Sequence, residues 1–306
     1  DGMVGAGVGG TSAFYAATLE RPERHDLEAT ATHPHPTGGW PIDYDAFRPW
    51  FELAETNFHI NGEVDPLAPE GATILPPLTP LPASDAKLIK DLRRAGMHPY
   101  RTHMAVRYVP GCENCFGRRC PRRCKMDGRT AGVLPALDTG RAALIDNCTV
   151  TRIEADAGTV TGLICRRGDQ ILTLRAKRYI LAGGGLGSPT LMRRSTSEYW
   201  PEGLGNRHDL VGRNLMFHIS EIIATRAGKT RDEVGAARSI SLRDLYFSEG
   251  QRFGTVQSMG LTAGFGEILY ALNKHFARSP LRKARPLRHG LRIPAWLAAK
   301  AMGDAK

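Results

Sequence analysis

The 306-residue sequence has no apolar run near the roughly 20 residues needed to span a bilayer, so no transmembrane helix is expected in it. No secretory-type leader opens it. It shows no internal repeat and no low-complexity tract, which argues against a solenoid or a long disordered segment. Its ten histidines never fall in H-E-x-x-H spacing. No G-x-S-x-G elbow and no G-x-x-x-x-G-K-S/T phosphate loop occurs, which sets aside serine-hydrolase and P-loop chemistry.

What remains is a chain with 42% hydrophobic residues, enough for a real core in one large domain or two smaller ones. Its formal net charge is +10. Such a surplus suits a negatively charged partner: nucleic acid, lipid or another protein. Cations crowd around residues 118–129 and again along 274–300, and a solvated basic surface is the plain expectation for both. The chain opens at Asp1 in a glycine-rich turn with no strand before it. A preceding segment of the same fold is therefore expected, and a following one after the helix-like end.

Periodicity gives a coarse map. A short helix is expected over 12–19 and a loop over 33–45. A helix over 46–56 would be capped by Asp43 or Asp45, and another, capped by Ser84 or Asp85, would run to Gly96. Residues 64–82 are proline-rich and irregular. Strands at 148–153, 159–165 and 170–174, with a turn at 156–158, predict an antiparallel meander. A parallel strand is expected at 177–182, a helix after Gly187, another strand at 219–226, and broken helices over 262–306.

Three segments carry the chemistry. Tyr179-Ile-Leu-Ala-Gly-Gly-Gly-Leu-Gly-Ser-Pro-Thr-Leu-Met192 reads as strand, glycine turn and helix start. Glycines there let the backbone approach a bulky polar ligand, and the helix N-terminus favours an anion such as a dinucleotide pyrophosphate. Gly5, Gly7 and Gly10 satisfy G-x-G-x-x-G, with Thr11 and Ser12 next to them as helix caps or phosphate donors. Cys112-x2-Cys115-x4-Cys120-x3-Cys124 packs four cysteines into 13 residues among arginines and Lys125. The spacing leaves an iron–sulfur cluster, zinc and structural or redox thiols open. A fourth stretch ends in His218, which reads as a packed core residue rather than a catalyst.

Together these pieces resemble the glucose–methanol–choline (GMC) family of flavin-dependent oxidoreductases. Gly7-x-Gly-Gly-Thr-Ser12 is similar to that family's G-x-G-G-S/T-S loop. Gly39-Trp-Pro-Ile-Asp-Tyr, with Pro49-Trp-Phe51 and Ala54-Glu55, is similar to its W-P-I-x-Y segment. Residues 179–192 and Val211-Gly-Arg-Asn-Leu-Met-Phe-His218 are similar to two more of its motifs. The match covers residues 1 to about 220 and is much weaker beyond. It implies an α/β fold: a Rossmann-like FAD-binding domain with a small β-meander and an attached substrate domain. The divisions would be a partial FAD-binding domain at 1–60, a proline- and cysteine-rich segment at 61–130, FAD-binding domain with meander at 131–218, and partial substrate domain at 219–306.

The resemblance also implies roles. Gly7, Gly9, Gly10, Thr11 and Ser12 would line the pyrophosphate and flavin side of FAD. Thr149 and Val150 would meet the adenine through backbone groups. Ala182, Gly183, Gly184 and Ser188 would lie against the ribose–phosphate region. Cys112, Cys115, Cys120 and Cys124 sit where some sugar and polyol dehydrogenases of the family carry an iron–sulfur cluster serving a cytochrome subunit. The expected parent oxidises the CH–OH group of an alcohol, sugar or polyol and passes electrons to a quinone, cytochrome or other acceptor. Its catalytic histidine would lie beyond Lys306, so no catalytic residue is assigned here. The competing class is a basic zinc module contacting nucleic acid, or a fragment without function. The lack of C2H2 or zinc-ribbon spacing and of aromatics among the arginines counts against the zinc module, and no nucleic-acid partner is expected. For the basic tail, a membrane surface or partner subunit is the alternative to a solvated helix. Compartment is left open between cytoplasm and periplasm.

Overall fold

The computed structural model describes residues 4–68, 70–112, 115, 119–218, 220, 221, 223, 238–259 and 264–302. The chain divides into two compact units, one built from Asp1–Arg141 and Ala224–Lys306, the other from Ala142–Ile223.

The first unit begins with a tight 3-10 turn, Gly10–Ala13. The helix expected over 12–19 stops there. Ala17 takes a left-handed backbone (φ 63), and Thr18 bridges to Met104 instead. Helix α1 is Arg24–Leu27 and α2 is Tyr44–Asn57. Asp43 caps α2 as its spacing predicts, accepting from the Ala46 N–H at 2.8 Å. Strand β1 (Ile60–Asn61) follows, then α3 (Ala83–Arg94), whose N-cap is Pro82 rather than Ser84 or Asp85. Pro82 already has the extended backbone a cap requires, so both polar residues fall inside the first turn. Strands β2 (Tyr100–Arg101) and β3 (Met104–Ala105) lead to a wide π-type turn, Gly128–Val133, and α4 (Leu134–Asp138).

The second unit holds β4 (Cys148–Ala155), β5 (Val160–Arg167) and β6 (Gln170–Leu174), paired antiparallel in that order. The meander is as expected. Asp156 closes its first turn, accepting from the Gly158 and Thr159 N–H groups at 2.9 and 2.7 Å. Helix α5 (Gly184–Arg194) packs on β4, and the Ser195 hydroxyl accepts from the Ile153 N–H at 2.9 Å.

The strand expected at 177–182 does not form. Ile180 is 94% exposed, and every strand pair among the described residues is antiparallel. A run of apolar residues becomes a strand only where a neighbour takes its backbone hydrogen bonds. The strand expected at 219–226 falls mostly outside the described residues.

Back in the first unit come β7 (Ile240–Leu242), β8 (Phe247–Ser248), β9 (Gln251–Arg252) and β10 (Val256–Gln257). Strand β7 lies between β10 and β2, so residues 140 positions apart share one sheet. Helices α6 (Phe265–Arg278), α7 (Arg285–Gly290) and α8 (Arg292–Met302) end the chain, broken at Pro280 and Gly290 as expected. The mixed helix and sheet content agrees with the α/β expectation; a Rossmann-like winding is not seen among the described residues.

The first unit's core is Ala17, Ile60, Met104, Ala105, Val106 and Met126, with Tyr15 and Cys112 packed against it. It lies directly behind the glycine turn and the cysteine segment. Buried Asn61 donates to the carbonyls of Met104 and Val106 at 3.2 and 2.5 Å and fixes that wall.

Candidate functional site

Residues 5–12 form a loop closed by its own side chains. The Thr11 hydroxyl accepts from the Gly5 N–H at 3.1 Å, and the Ser12 hydroxyl donates to the Gly9 carbonyl at 2.5 Å. Ser12 also accepts from the Gly128 N–H at 2.9 Å, which ties the loop to the turn after the cysteines. Gly9 and Gly10 sit at φ 91 and 56, where a side chain is strained. A Cβ on Gly5 would fall 2.4 Å from the Gly10 carbonyl carbon, and one on Gly9 would meet Arg129 backbone at 3.0 Å. Gly7 differs, because nothing lies within 4 Å of its Cβ position.

The segment behind the loop is buried and charged. Lys125 is 4% exposed; its ammonium donates to the carbonyls of Cys115 at 2.8 Å and Tyr15 at 3.2 Å. Burial lowers its pKa, while the neighbouring thiols and Asp127 oppose that shift. Arg129, also buried, donates to the Cys120 carbonyl at 3.4 Å. These two cations are therefore not part of a solvated basic surface, although Arg119, Arg122 and Arg123 are exposed. Three buried polar atoms beside the loop have no hydrogen-bond partner: Asp127 Oδ2, Arg129 Nε and Thr130 Oγ1. Each such atom costs about 1–3 kcal/mol unless another group satisfies it.

The four cysteines do come together. Cys115, Cys120 and Cys124 are buried in one cluster, with Cys112 against them. The Cys124 sulfur lies 3.3 Å from that of Cys120 and 3.7 Å from that of Cys112. Burial raises both buried thiols of the closer pair. For Cys120, donors outweigh it (the N–H groups of Lys125, Cys124 and Arg122, and the Cys124 thiol) and bring its pKa down to about 7. Cys124 is pushed up to about 12, by burial first and then by its sulfur neighbours. No group of three or more His, Cys, Asp or Glu among the described residues is arranged to hold a metal ion. The expected ligands Cys112, Cys115, Cys120 and Cys124 are thus gathered in one place, and an iron–sulfur cluster there is not supported.

The second unit carries the other expected residues. The Ser188 hydroxyl accepts from the Gly183 N–H at 2.9 Å, folding the chain over the start of α5. Gly183 caps α5 without a side-chain bond, and no acidic residue occupies its first turn. Gly184 is left-handed (φ 78). Thr149 and Val150 lie on β4 opposite Arg166 and Cys165, with Thr149 exposed. Ala182, Gly183 and Gly184 are exposed, and Ser188 is half-buried. His218 is exposed too, which corrects its reading as a packed core residue.

A family model described as GMC oxidoreductase matches residues 2–220. The chain belongs to that family. GMC oxidoreductases typically carry FAD. The GMC chain is 27% identical to 2-methyl-1,2-propanediol dehydrogenase of Mycolicibacterium austroafricanum, over 88% of this chain and 51% of that protein. It is 28% identical to the fructose dehydrogenase large subunit of Gluconobacter japonicus, over 69% and 41%. With 6'''-hydroxyparomomycin C oxidase of Streptomyces lividus the identity is 26%, over 76% and 44%. The chain spans about half the length, or less, of these relatives. No described helix is long and apolar enough to cross a membrane.

Sequence reading missed Lys125 and Arg129 as buried groups, and it missed a second charged cluster. There His103 Nδ1 meets Glu20 at 3.0 Å, and Arg243 meets Asp65 at 3.2 Å and Glu23. Their partners are up to 220 positions apart, so no local pattern announces them.

Proposed function

We propose that this chain supplies part of the FAD-binding framework of an oxidoreductase acting on CH–OH groups of an alcohol, sugar or polyol. The observation that carries this is the self-closed loop at 5–12, open at Gly7 and backed by three unsatisfied buried polar atoms. The residues fit the cofactor. Gly7, Gly9, Gly10, Thr11 and Ser12 would take its pyrophosphate and flavin side through backbone N–H groups, since the two hydroxyls already hold the loop. Ala182, Gly183, Gly184 and Ser188, at the N-terminus of α5, would face a ribose–phosphate group. Thr149 and Val150 would meet the adenine by backbone contacts. Bound FAD accepts a hydride and hands its electrons on. The acceptor would be a quinone, a cytochrome or oxygen. The residues named here bind and orient, and none of them moves a proton. The cysteines enter as packing behind the loop. The relatives' names include a propanediol and fructose, which supports a hydroxylated small molecule as substrate.

The test is a visible spectrum of the purified protein. Flavin bands near about 370 and 450 nm are expected. A colourless protein that also fails to bind added FAD would overturn the proposal.

A further inference from the structure

The last 39 described residues, 264–302, fold as a helical hairpin in which α6 and α8 pack on each other. Between positions 268 and 302 the sequence has eight Lys and Arg and no Asp or Glu. Among the described residues, no ion pair engages Lys274, Arg278, Arg282, Lys283, Arg292 or Lys300. All six are exposed.

The burial pattern of α8 is inverted. A helix on a protein core turns its large apolar residues inward. Here Ala295 and Ala299 are buried (0% and 3% exposed), while Ile293, Trp296 and Leu297 face solvent at 67, 53 and 54%. Ile293, Trp296, Leu297 and Lys300 follow i, i+3, i+4, i+7 spacing and so share one stripe. The Lys300 ammonium lies 5.1 Å from the Trp296 ring centre, placing a cation and an amphipathic ring side by side. Leu281 and Leu287 are exposed as well.

We propose that this hairpin is a docking surface for an anionic lipid membrane, with α8 lying in the headgroup plane. Charge decides the occupant. A stripe of Ile, Trp and Leu seats at the boundary between headgroups and acyl chains, and a rim of exposed cations, with no carboxylate between positions 268 and 302, matches acidic headgroups. A protein partner of mixed charge would leave those cations unmatched. The assignment stands on the hairpin alone and does not depend on FAD or on the oxidation reaction.

Co-sedimentation of the purified chain with phosphatidylcholine vesicles, with and without phosphatidylserine, tests it. Binding only to the serine-lipid vesicles is expected, with a blue shift of tryptophan emission that Trp296→Phe removes without loss of binding. Arg282→Gln and Lys283→Gln should each weaken partitioning about fivefold, and salt near 1 M should abolish most of it. Ile293→Ser with Leu297→Ser should abolish binding while the circular dichroism stays unchanged, because both sites are exposed. Equal binding to neutral vesicles, or binding insensitive to these variants, would overturn the proposal. So would a concentration-dependent dimer lost in the same variants, which would place a second copy on the stripe.

Discussion

Two glycine-rich segments of this chain meet opposite surroundings. At 5–12 every glycine but Gly7 is demanded by the chain itself. Gly5 has backbone atoms within 2.4–2.5 Å of where a Cβ would sit, and Gly9 is crowded by Arg129. At 183–188 only Gly183 is crowded, by Ser188, while Gly184, Gly185 and Gly187 have nothing within 4 Å. Glycine raises the backbone entropy lost on folding, and inside a helix it is about 1 kcal/mol worse than alanine. In the first segment that disadvantage is offset by a closed loop. In the second, Gly184 needs its left-handed backbone and Gly183 is crowded, but Gly185 and Gly187 show no internal return, and a ligand approaching the backbone of α5 is the reason proposed above.

The sharpest way to break this contrast is Gly5→Ala. The clash is with backbone, which no rotamer change relieves. A loss of about 4 kcal/mol is expected, at the top of the single-substitution range. Denaturant unfolding of the purified chain should show it, together with loss of any bound flavin. A variant as stable as the parent would mean that the loop does not close through Gly5 and Gly10.

Next in size is the charged cluster that ties the two sequence-distant parts of the first unit. Glu20→Gln leaves buried His103 without its carboxylate, while Arg243 keeps Glu23 and Asp65, at a cost of about 3 kcal/mol. The pH dependence carries its own signature. Burial alone would raise Glu20, but its bonds to His103 and the nearby Arg243 leave its pKa net lowered. Burial lowers His103, but Glu20 outweighs that and leaves it net raised. The Glu20 contribution is complete above its ordinary value of 4.5 and fades as pH falls through the lowered one. The His103 contribution is complete below 6.5 and fades as pH rises through the raised value. The melting temperature should therefore be highest between these limits, and Glu20→Gln should flatten both slopes. Glu23 and Asp65 share the cluster, and burial raises both; their contribution is largest at low pH and fades as pH rises through the raised values, so they blunt the acid limb. An unchanged profile would show that the pair does not form.

How much of this was legible beforehand follows from range. Helix α2 and its Asp43 cap, and the meander with its Asp156 turn, were readable because three or four neighbouring residues decide them. The strand at 177–182 was misread because pairing, not composition, makes a strand, and no described strand lies beside it. The helix after Ser12 was misread because Met104, 86 residues away, claims Thr18. The glycine loop was recognised, but not that Ser12 and Gly128 lock it. Lys125 and Arg129 passed for solvated cations because what buries them, Tyr15, Gly9 and the cysteines, is assembled only by the fold.

A smaller effect comes from Ser12→Ala, which removes one bond to Gly9 and leaves the Gly128 N–H without its acceptor. About 1–2 kcal/mol of stability is expected to go. Amide hydrogen exchange at Gly128 should speed up, and unchanged exchange there would disprove the tie between loop and cysteine segment.

The smallest effect on stability sharpens the comparison most. Gly187→Ala places a methyl in open space inside α5, so the folded chain should gain up to about 1 kcal/mol from better helix propensity. If glycine is there to let a ribose–phosphate reach the backbone, the same methyl should weaken FAD binding at least several-fold. Stability and affinity would then move in opposite directions, which no purely structural role for this glycine produces. Unfolding curves and flavin titration on the same preparation separate the cases. A gain in stability with unaltered affinity would remove Gly187 from the cofactor surface, and a loss of stability would show that this segment, like residues 5–12, is shaped by the chain alone.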